Sequence, residues 1–234
     1  MKKIIVILVV SILMIACSSK KDGNMIVEGT IKGLKKGTLY LQKMNDTAIV
    51  SIDSVNVLGD GRFRLTDNVE SPVMYYLTYD GNASDKRILF FGGKGTITIN
   101  DNMETFGFSP KVTGSANQLV LENFSKINNQ FKNKRLEFIK KEFEAIQSKD
   151  TELIEKVKSD YNRMIRRKYL YTTNFALLNS NSEAAPYIAL TELYDANIKL
   201  LDTINKRLSL EVKKSIYGKR LDKYISKIKA NETK

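Results

Sequence analysis

The pattern of hydrophobic and polar positions divides the chain into a β-like region and a helical region. Over residues 25–113, short stretches alternate apolar and polar residues and are separated by glycine-rich or polar turns. Strands with one buried face show this period of two. Because the strands are short and regularly spaced, we expect an antiparallel β-sandwich or partial barrel over residues 25–114.

Individual strands can be placed along the β-like region. The stretch "MIVEGTIKGLKKGTLYLQK" contains two apolar runs, which we expect to form a hairpin through a turn at residues 33–37. In "SPVMYYLTYD", alternate residues from Val73 to Tyr79 share one face. Further strands are expected in "TAIVSIDSVNV", "LGDGRFRL" and "RILFFGGKGTITIN".

From Ser115 onward the apolar period becomes that of α-helices. Ser115 and Gln118 have the S-x-x-Q spacing of a capping box, which starts a helix. Two apolar stripes follow, the second after a one-residue shift in phase. Their members are Val120, Phe124, Ile127 and Phe131, and then Leu136, Ile139, Phe143 and Ile146. We expect the apolar stripes to pack on the β domain, to join two copies of the chain, or to hold a partner.

A second long helix is predicted over Thr151–Leu178, with Asp150 as its N-cap. Its apolar positions are spaced by three and four residues, and only Lys168 interrupts them. These positions are Ile154, Val157, Tyr161, Met164, Tyr171, Phe175 and Leu178. The two long helices are therefore expected to form an antiparallel hairpin.

The remainder of the chain predicts shorter helices. "NSNSEAAPYIALTELY" indicates a loop and a new helix start, with Ser182 as cap and Pro186 in the first turn. Two further helices are expected at about residues 200–208 and 210–228. The predicted fold class is therefore α+β, with a helical domain over residues 115–229 and a disordered tail over residues 230–234.

The first 16 residues have the features of an export signal. Lys2 and Lys3 precede an apolar run over residues 4–15. This run is too short to cross a bilayer, which takes about 20 apolar residues. The stretch "LMIAC" resembles the lipobox of bacterial lipoproteins, which implies cleavage between Ala16 and Cys17. The same resemblance implies an S-diacylglycerol group and an N-acyl chain of the palmitate type on Cys17.

Lipidation of Cys17 would give the mature protein a membrane anchor. Two or three acyl chains hold a protein stably, at about 0.8 kcal/mol per buried CH₂ group. We expect a flexible, lipidated tether over residues 17–24. The alternatives are an ordinary signal peptide in which Cys17 is incidental, and a buried N-terminal helix.

Composition narrows the classes of chemistry that the chain could perform. The 42% hydrophobic and 27% charged residues are typical of a globular protein. The sequence has no histidine, and Cys17 is its one cysteine. These absences exclude Ser-His-Asp and Cys-His nucleophile systems, CxxC redox pairs and the usual zinc and haem sites, so we expect no metal and no cofactor.

The net charge of +12 favours anionic partners such as lipid headgroups or acidic glycans. Nucleic acid is not expected for an exported protein, and no basic motif with interleaved aromatic residues is present. The densest basic cluster contains Arg163, Arg166 and Arg167 on the second long helix. Solvated helix faces with extended side-chain stems are the alternative explanation of this charge.

Two patterns could indicate catalysis. The glycine-rich "FFGGKGT" lacks the spacing of a phosphate loop and lies between strands, so we expect a hairpin turn. Carboxylate pairs could serve a hydrolase, and the acids of the β-like region are Asp53, Asp60, Asp80 and Asp85. The last three lie at apparent turns, and Asp53 interrupts a strand, so structural roles are favoured for all of them.

The order of several motifs resembles a known family. "VEGTIKGLKKGTLYLQK", "VSIDSVNVLGDGRFRL", "SPVMYYLTY", "ILFFGGKGTITIN" and "VTGSANQLVLENF" are similar to a β-rich domain of unknown function in Gram-negative lipoproteins. That domain commonly precedes a thioredoxin-like domain in thiol-disulfide oxidoreductases of the TlpA/ResA type. "NSEAAPYIALTELY" and "KKSIYGKRLDKYISKIK" look like the helical segment that joins the two parts, so the resemblance extends over residues 24–229.

The family's redox residues have no counterparts in this sequence, because no cysteine follows Cys17. We therefore expect a non-catalytic binding or interaction module, anchored by lipid in the cell envelope, in the outer membrane and facing the periplasm. Its expected partners are the membrane, through the anchor, and an envelope protein or an anionic glycan. Two alternatives are an accessory subunit of a thiol-disulfide system whose CxxC domain is on another chain, and a hydrolase with an unidentified carboxylate pair.

Overall fold

A computed structural model describes residues 23–45, 48–81 and 86–232 of the 234-residue chain. The predicted signal peptide, the cleavage position between Ala16 and Cys17, the lipidated Cys17 and the carboxylate Asp85 lie outside the described residues. Within them, two sheets are followed by six α-helices. The predicted α+β class and the order of its two parts are confirmed.

The strands form two four-stranded sheets, with the orders β4-β1-β7-β8 and β3-β2-β5-β6. Their bounds are β1 Met25–Lys32, β2 Lys36–Asn45, β3 Ala48–Leu58, β4 Arg62–Asp67, β5 Val73–Tyr79, β6 Arg87–Gly92, β7 Gly95–Asn102 and β8 Lys111–Thr113. A short 3-10 helix, Met103–Thr105, lies between β7 and β8. The apolar side chains between the two sheets form one core, in which Leu39, Leu65, Leu77 and Ile99 are fully buried.

Three details of the predicted β domain are wrong. β6 and β7 flank the predicted hairpin turn but belong to different sheets. β1 and β2 do not form a hairpin, because β1 belongs to the first sheet and β2 to the second. Their connection carries Leu34, which is buried between the sheets, so burial of this side chain outweighs local pairing. The first sheet is also mixed, because β1 and β7 run parallel.

The close pairing of β1 with β7 requires a glycine. Gly29 lies opposite Ile99 and has a φ of +155°. A Cβ atom at this position would lie 1.8 Å from the carbonyl oxygen of Ile99, which no side chain could tolerate. The glycine therefore permits the backbones of the two strands to approach each other.

The helices are α1 Ala116–Ser148, α2 Thr151–Leu178, α3 Ala184–Glu192, α4 Ile198–Arg207, α5 Leu210–Lys214 and α6 Ile216–Glu232. The predicted caps of the hairpin are present, since Ser115 accepts a hydrogen bond from the N–H of Gln118 and Asp150 accepts one from that of Leu153. The last predicted helix is divided at Ser215, which has an extended backbone. Its second part continues to Glu232, three residues beyond the predicted helical domain.

The second apolar stripe of α1 is not buried in the hairpin. Its side chains, Leu136, Ile139, Phe143 and Ile146, are 52–65% exposed and are called the outer stripe here. An inner row of Phe131, Phe138 and Ala145, spaced by seven residues, is more buried than the outer stripe, and Phe124 stacks on Tyr171 of α2. Phe131 packs on Tyr171 and Phe138 on Tyr161, each with ring centroids 5.9 Å apart.

None of the helices in the described part of the chain is long and apolar enough to span a membrane.

Candidate functional site: a cleft between sheet and helices

The outer face of the second sheet packs against the helices. Met74 of β5 and Phe91 of β6 are buried there in a cluster with Phe124, Ile188 and Tyr217. The N–H of Phe91 donates to Oε1 of Gln118 at 2.9 Å, so the predicted capping-box side chain bonds to the sheet instead of to Ser115. The N–H of Met74 donates to the hydroxyl of Tyr217 at 3.1 Å.

A cleft opens where β2 separates from β5. The two strands pair as far as Lys43 opposite Tyr75, whereas β2 and β3 continue together to Asn45 opposite Ala48. Because Tyr217 satisfies the N–H of Met74, the start of β5 is held by α6. The cavity at this position has a volume of about 700 Å³. It lies between the end of the β2–β3 hairpin and the helices α3 and α6.

Aliphatic, aromatic, charged and uncharged polar residues line this cleft, and the last two groups include Glu70, Asn45, Asn68, Ser71 and Thr191. The aliphatic residues come from strands, helices and the loop before β5: Met44, Val50, Ile52, Val69, Val73, Met74, Leu190 and Ile216. The aromatic groups are Tyr75, Tyr76, Tyr187 and Tyr217, and the cations are Lys43 and Arg220. Such a mixture of apolar walls with a few polar groups is typical of ligand sites, whose volumes are about 300–1,000 Å³.

A hydrogen-bonded network closes the floor of the cleft. Oδ2 of Asp67 accepts hydrogen bonds from Nζ of Lys43 and from the hydroxyl of Tyr75, each at 2.6 Å. Burial raises the pKa of Tyr75, and the hydrogen bond to the Asp67 carboxylate raises it further. The Tyr75 hydroxyl therefore stays protonated, and the network holds Lys43 in place.

Two tyrosines form an aromatic wall. The rings of Tyr187 on α3 and Tyr217 on α6 are 5.1 Å apart, and both lie 5.8 Å from the ring of Phe91 in edge-on orientation. Burial raises the pKa of Tyr187 to about 12, with smaller contributions from Tyr217, Tyr76 and Glu192. Contacts of this kind between aromatic rings hold the wall in place.

Arg220 carries a positive charge at the rim of the cleft. Its guanidinium carbon lies 5.8 Å from the centroid of the Tyr217 ring. Within the described ranges, no carboxylate forms an ion pair with it; Glu70 lines the same cleft but is not among its partners. Lys43, by contrast, is held by Asp67. Arg220 is therefore the cation of the cleft that can receive an anionic group.

A second cavity of about 470 Å³ lies near the N-terminus of α1. It includes Gly93 and Lys94 of "FFGGKGT", which connect β6 of the second sheet to β7 of the first instead of forming the predicted hairpin turn. Two of the polar residues around it have roles within the fold: Ser115 caps α1, and Asn117 accepts a hydrogen bond from the N–H of Ala184.

The carboxylates considered for catalysis have structural roles. Asp53 accepts hydrogen bonds from the N–H groups of Ser54 and Thr66, which ties β3 to β4. Asp60 accepts from the N–H of Arg62, and this bond together with the guanidinium of Arg62 lowers the pKa of Asp60. Asp80 accepts from the N–H of Thr38 at 2.9 Å. None of these three carboxylates lines the cleft.

The basic cluster of α2 also lies away from the cleft. Arg163, Arg166 and Arg167 are exposed, and Arg163 pairs with Asp160 at 3.3 Å. The residues that do form the cleft, such as Lys43, Tyr187 and Arg220, were not singled out from the sequence. They come from three distant segments, and no spacing within the chain connects them. In the described part of the chain, no group of three or more Asp, Glu, His or Cys side chains could hold a metal ion.

The fold defines a two-part α+β protein with a cleft between its second sheet and its helices. Residues 25–121 match the family described as "Domain of unknown function (DUF4369)". The match covers all eight described strands and the first residues of α1, and it confirms the predicted β-rich domain of unknown function. Comparisons with curated proteins and with solved structures gave no match.

Proposed function

We propose that this protein is a non-catalytic binding module of the cell envelope and that the cleft is its ligand site. The observation that carries the proposal is the cavity of about 700 Å³ with aliphatic and tyrosine walls. The protonated Tyr75 and the pairing of Lys43 with Asp67 support a role in binding, because both side chains are held in place at the cleft.

The module is proposed to be held in the outer membrane, facing the periplasm, by lipid on Cys17. The resemblance of "LMIAC" to a lipobox supports this anchor. An accessory role beside a CxxC-bearing partner is the alternative, and it is supported by the resemblance to oxidoreductase lipoproteins alone. Crosslinking in cells that captures such a partner through the cleft would favour the alternative.

Filling the rim of the cleft tests the binding site. Thr191 is an exposed residue of α3 that lines the cleft, and Thr191→Trp places a large ring there without disturbing the core. We expect the affinity for the neutral apolar dye N-phenyl-1-naphthylamine to fall about tenfold or more, since steric exclusion removes most of its contacts. The measurement is a fluorescence titration of the chain from residue 17 with Cys17→Ser, which needs no detergent.

Thr203→Trp is the matched control. Thr203 is also exposed on a helix, and its hydroxyl bonds the carbonyl four residues earlier, as that of Thr191 does. It does not line the cleft. Equal dye binding by both variants and the parent protein would place the dye elsewhere and would refute the cleft as the ligand site.

A further inference from the structure

We infer that the cleft binds a single-chain anionic amphiphile of the membrane, with Arg220 contacting its anionic group and the tyrosine and aliphatic walls holding its acyl chain. This inference rests on the proposed function and specifies the ligand. Three observations carry it: the position of the cleft relative to the proposed anchor, the charge at its rim, and the chemistry of its walls.

The cleft lies close to the start of the described chain. The side chain of Asn24 accepts a hydrogen bond from the N–H of Val69 at 2.7 Å and donates one to its carbonyl at 3.0 Å. Val69 itself lines the cleft. Asn24 lies seven positions after Cys17, and a fully extended chain of seven residue steps spans at most about 25 Å. A lipid on Cys17 therefore keeps the cleft near the headgroups of the membrane.

The charges of the cleft favour one anionic group. Arg220 has no carboxylate partner in the described residues, and it lies at the rim beside the Tyr217 ring. A guanidinium binds a carboxylate or phosphate through paired N–H donors. Lys43 contributes little free charge because Asp67 neutralises it. We therefore expect a ligand with a single anionic head.

The walls suit a flexible apolar chain better than a sugar. Eight aliphatic residues line the cleft, and the hydroxyl of Tyr217 already accepts a hydrogen bond from the N–H of Met74. The adaptable thioether of Met44 lies at the mouth, where it is 43% exposed. Burial of an acyl chain against these groups removes apolar surface from water on both sides.

Two matched probes test the inference on the chain from residue 17 with Cys17→Ser. The first is 11-(dansylamino)undecanoic acid, which has a free carboxylate, and the second is its neutral methyl ester. We expect the acid to bind more tightly than the ester. Arg220→Gln should lower the affinity for the acid by about five- to tenfold and leave the affinity for the ester unchanged. Arg220→Lys should keep part of the preference for the acid.

Lys223→Gln is the control for the loss of one positive charge, because Lys223 is exposed on the same helix and does not line the cleft. It should not change the binding of either probe. Equal affinity of the two probes, or equal effects of Arg220→Gln and Lys223→Gln, would overturn the inference. If Thr191→Trp does not lower the affinity for the ester, the cleft is not the binding site. This outcome would overturn the proposed function, and it is distinguishable from the outcomes that overturn the inference about the anionic group.

Discussion

The hydroxyl groups of three tyrosines in the cleft are kept protonated by their surroundings. Burial raises the pKa of Tyr75, Tyr187 and Tyr217, because a phenolate would lose its hydration in the cleft. For Tyr187 the pKa rises from 10 to about 12. This preference for the neutral hydroxyl contributes to the free energy of unfolding. The contribution is fully present below about pH 10 and is lost as the pH rises toward 12.

Tyr187→Phe should therefore make the protein less sensitive to alkali. Near pH 7 we expect a change in the free energy of unfolding below about 0.5 kcal/mol, because the Tyr187 hydroxyl has no hydrogen-bond partner in the described residues. Between pH 9 and pH 11.5 the variant should lose about 1–2 kcal/mol less stability than the parent protein, after allowance for partial solvation. Urea titrations across this range measure the difference.

Tyr194→Phe is the control for this pH dependence, since Tyr194 is 61% exposed and lies outside the cleft. The free energy of unfolding of Tyr194→Phe should fall with rising pH in the same way as that of the parent protein. If Tyr187→Phe also follows that dependence on pH, burial of the Tyr187 hydroxyl in the cleft is refuted.

The helical hairpin shows how packing selects among apolar residues of one element. On α1, the inner row contacts α2, and the larger outer stripe stays exposed. Lys168, which interrupts the apolar spacing of α2, pairs with Glu192 of α3 at 2.8 Å. Asn128 of α1 donates to the same carboxylate at 2.9 Å. A polar contact with a third helix thus explains the interruption.

Two phenylalanines of α1 should differ in their effect on stability. Phe138→Ala removes the edge-on contact with Tyr161 and should cost about 1–2 kcal/mol, because the ring is half-buried. Phe143→Ala should change the free energy of unfolding by less than about 0.5 kcal/mol, because that ring is 61% exposed. Urea unfolding followed by circular dichroism compares them, and a larger loss for Phe143→Ala would mean that the outer stripe is covered.

The molecule is held together by the packing of the second sheet on the helices. Phe91 and Met74 each use a backbone N–H to bond a helix side chain, and Ser71 accepts a hydrogen bond from the N–H of Ile216. Gly218 permits α6 to approach α5, since a Cβ there would lie 2.0 Å from the carbonyl oxygen of Val212. The same interface that joins the two parts therefore also forms the cleft.

The proposed anchor of the whole molecule can be tested by fractionation. With Cys17 intact, we expect the protein in the membrane fraction, with an intact mass that includes diacylglycerol and an N-acyl chain on the residue after the cleavage position. Cys17→Ser should move it to the soluble periplasmic fraction, because no acyl chain remains to enter the bilayer. The control variant Ser18→Ala keeps Cys17 and should remain in the membrane fraction. An unmodified thiol at Cys17 in soluble protein would contradict the proposed anchor.

Local sequence patterns were sufficient to place most elements. The bounds predicted for α2 coincide with Thr151–Leu178, and Asp150 caps it as expected. Strand positions and the α+β class also follow from the pattern, because the periods of two and of 3.6 residues reflect backbone geometry within each element. Strand pairing does not follow, since β1 and β2 are adjacent in sequence but belong to different sheets.

The site could not be inferred in the same way. Lys43 from a strand and Tyr187 and Arg220 from two separate helices meet only after the sheets and helices have packed. No local period connects residues that lie more than a hundred positions apart. The chain thus specifies its elements through interactions between near neighbours, whereas the pairing of strands, the choice of buried helix face and the cleft arise from contacts between distant residues.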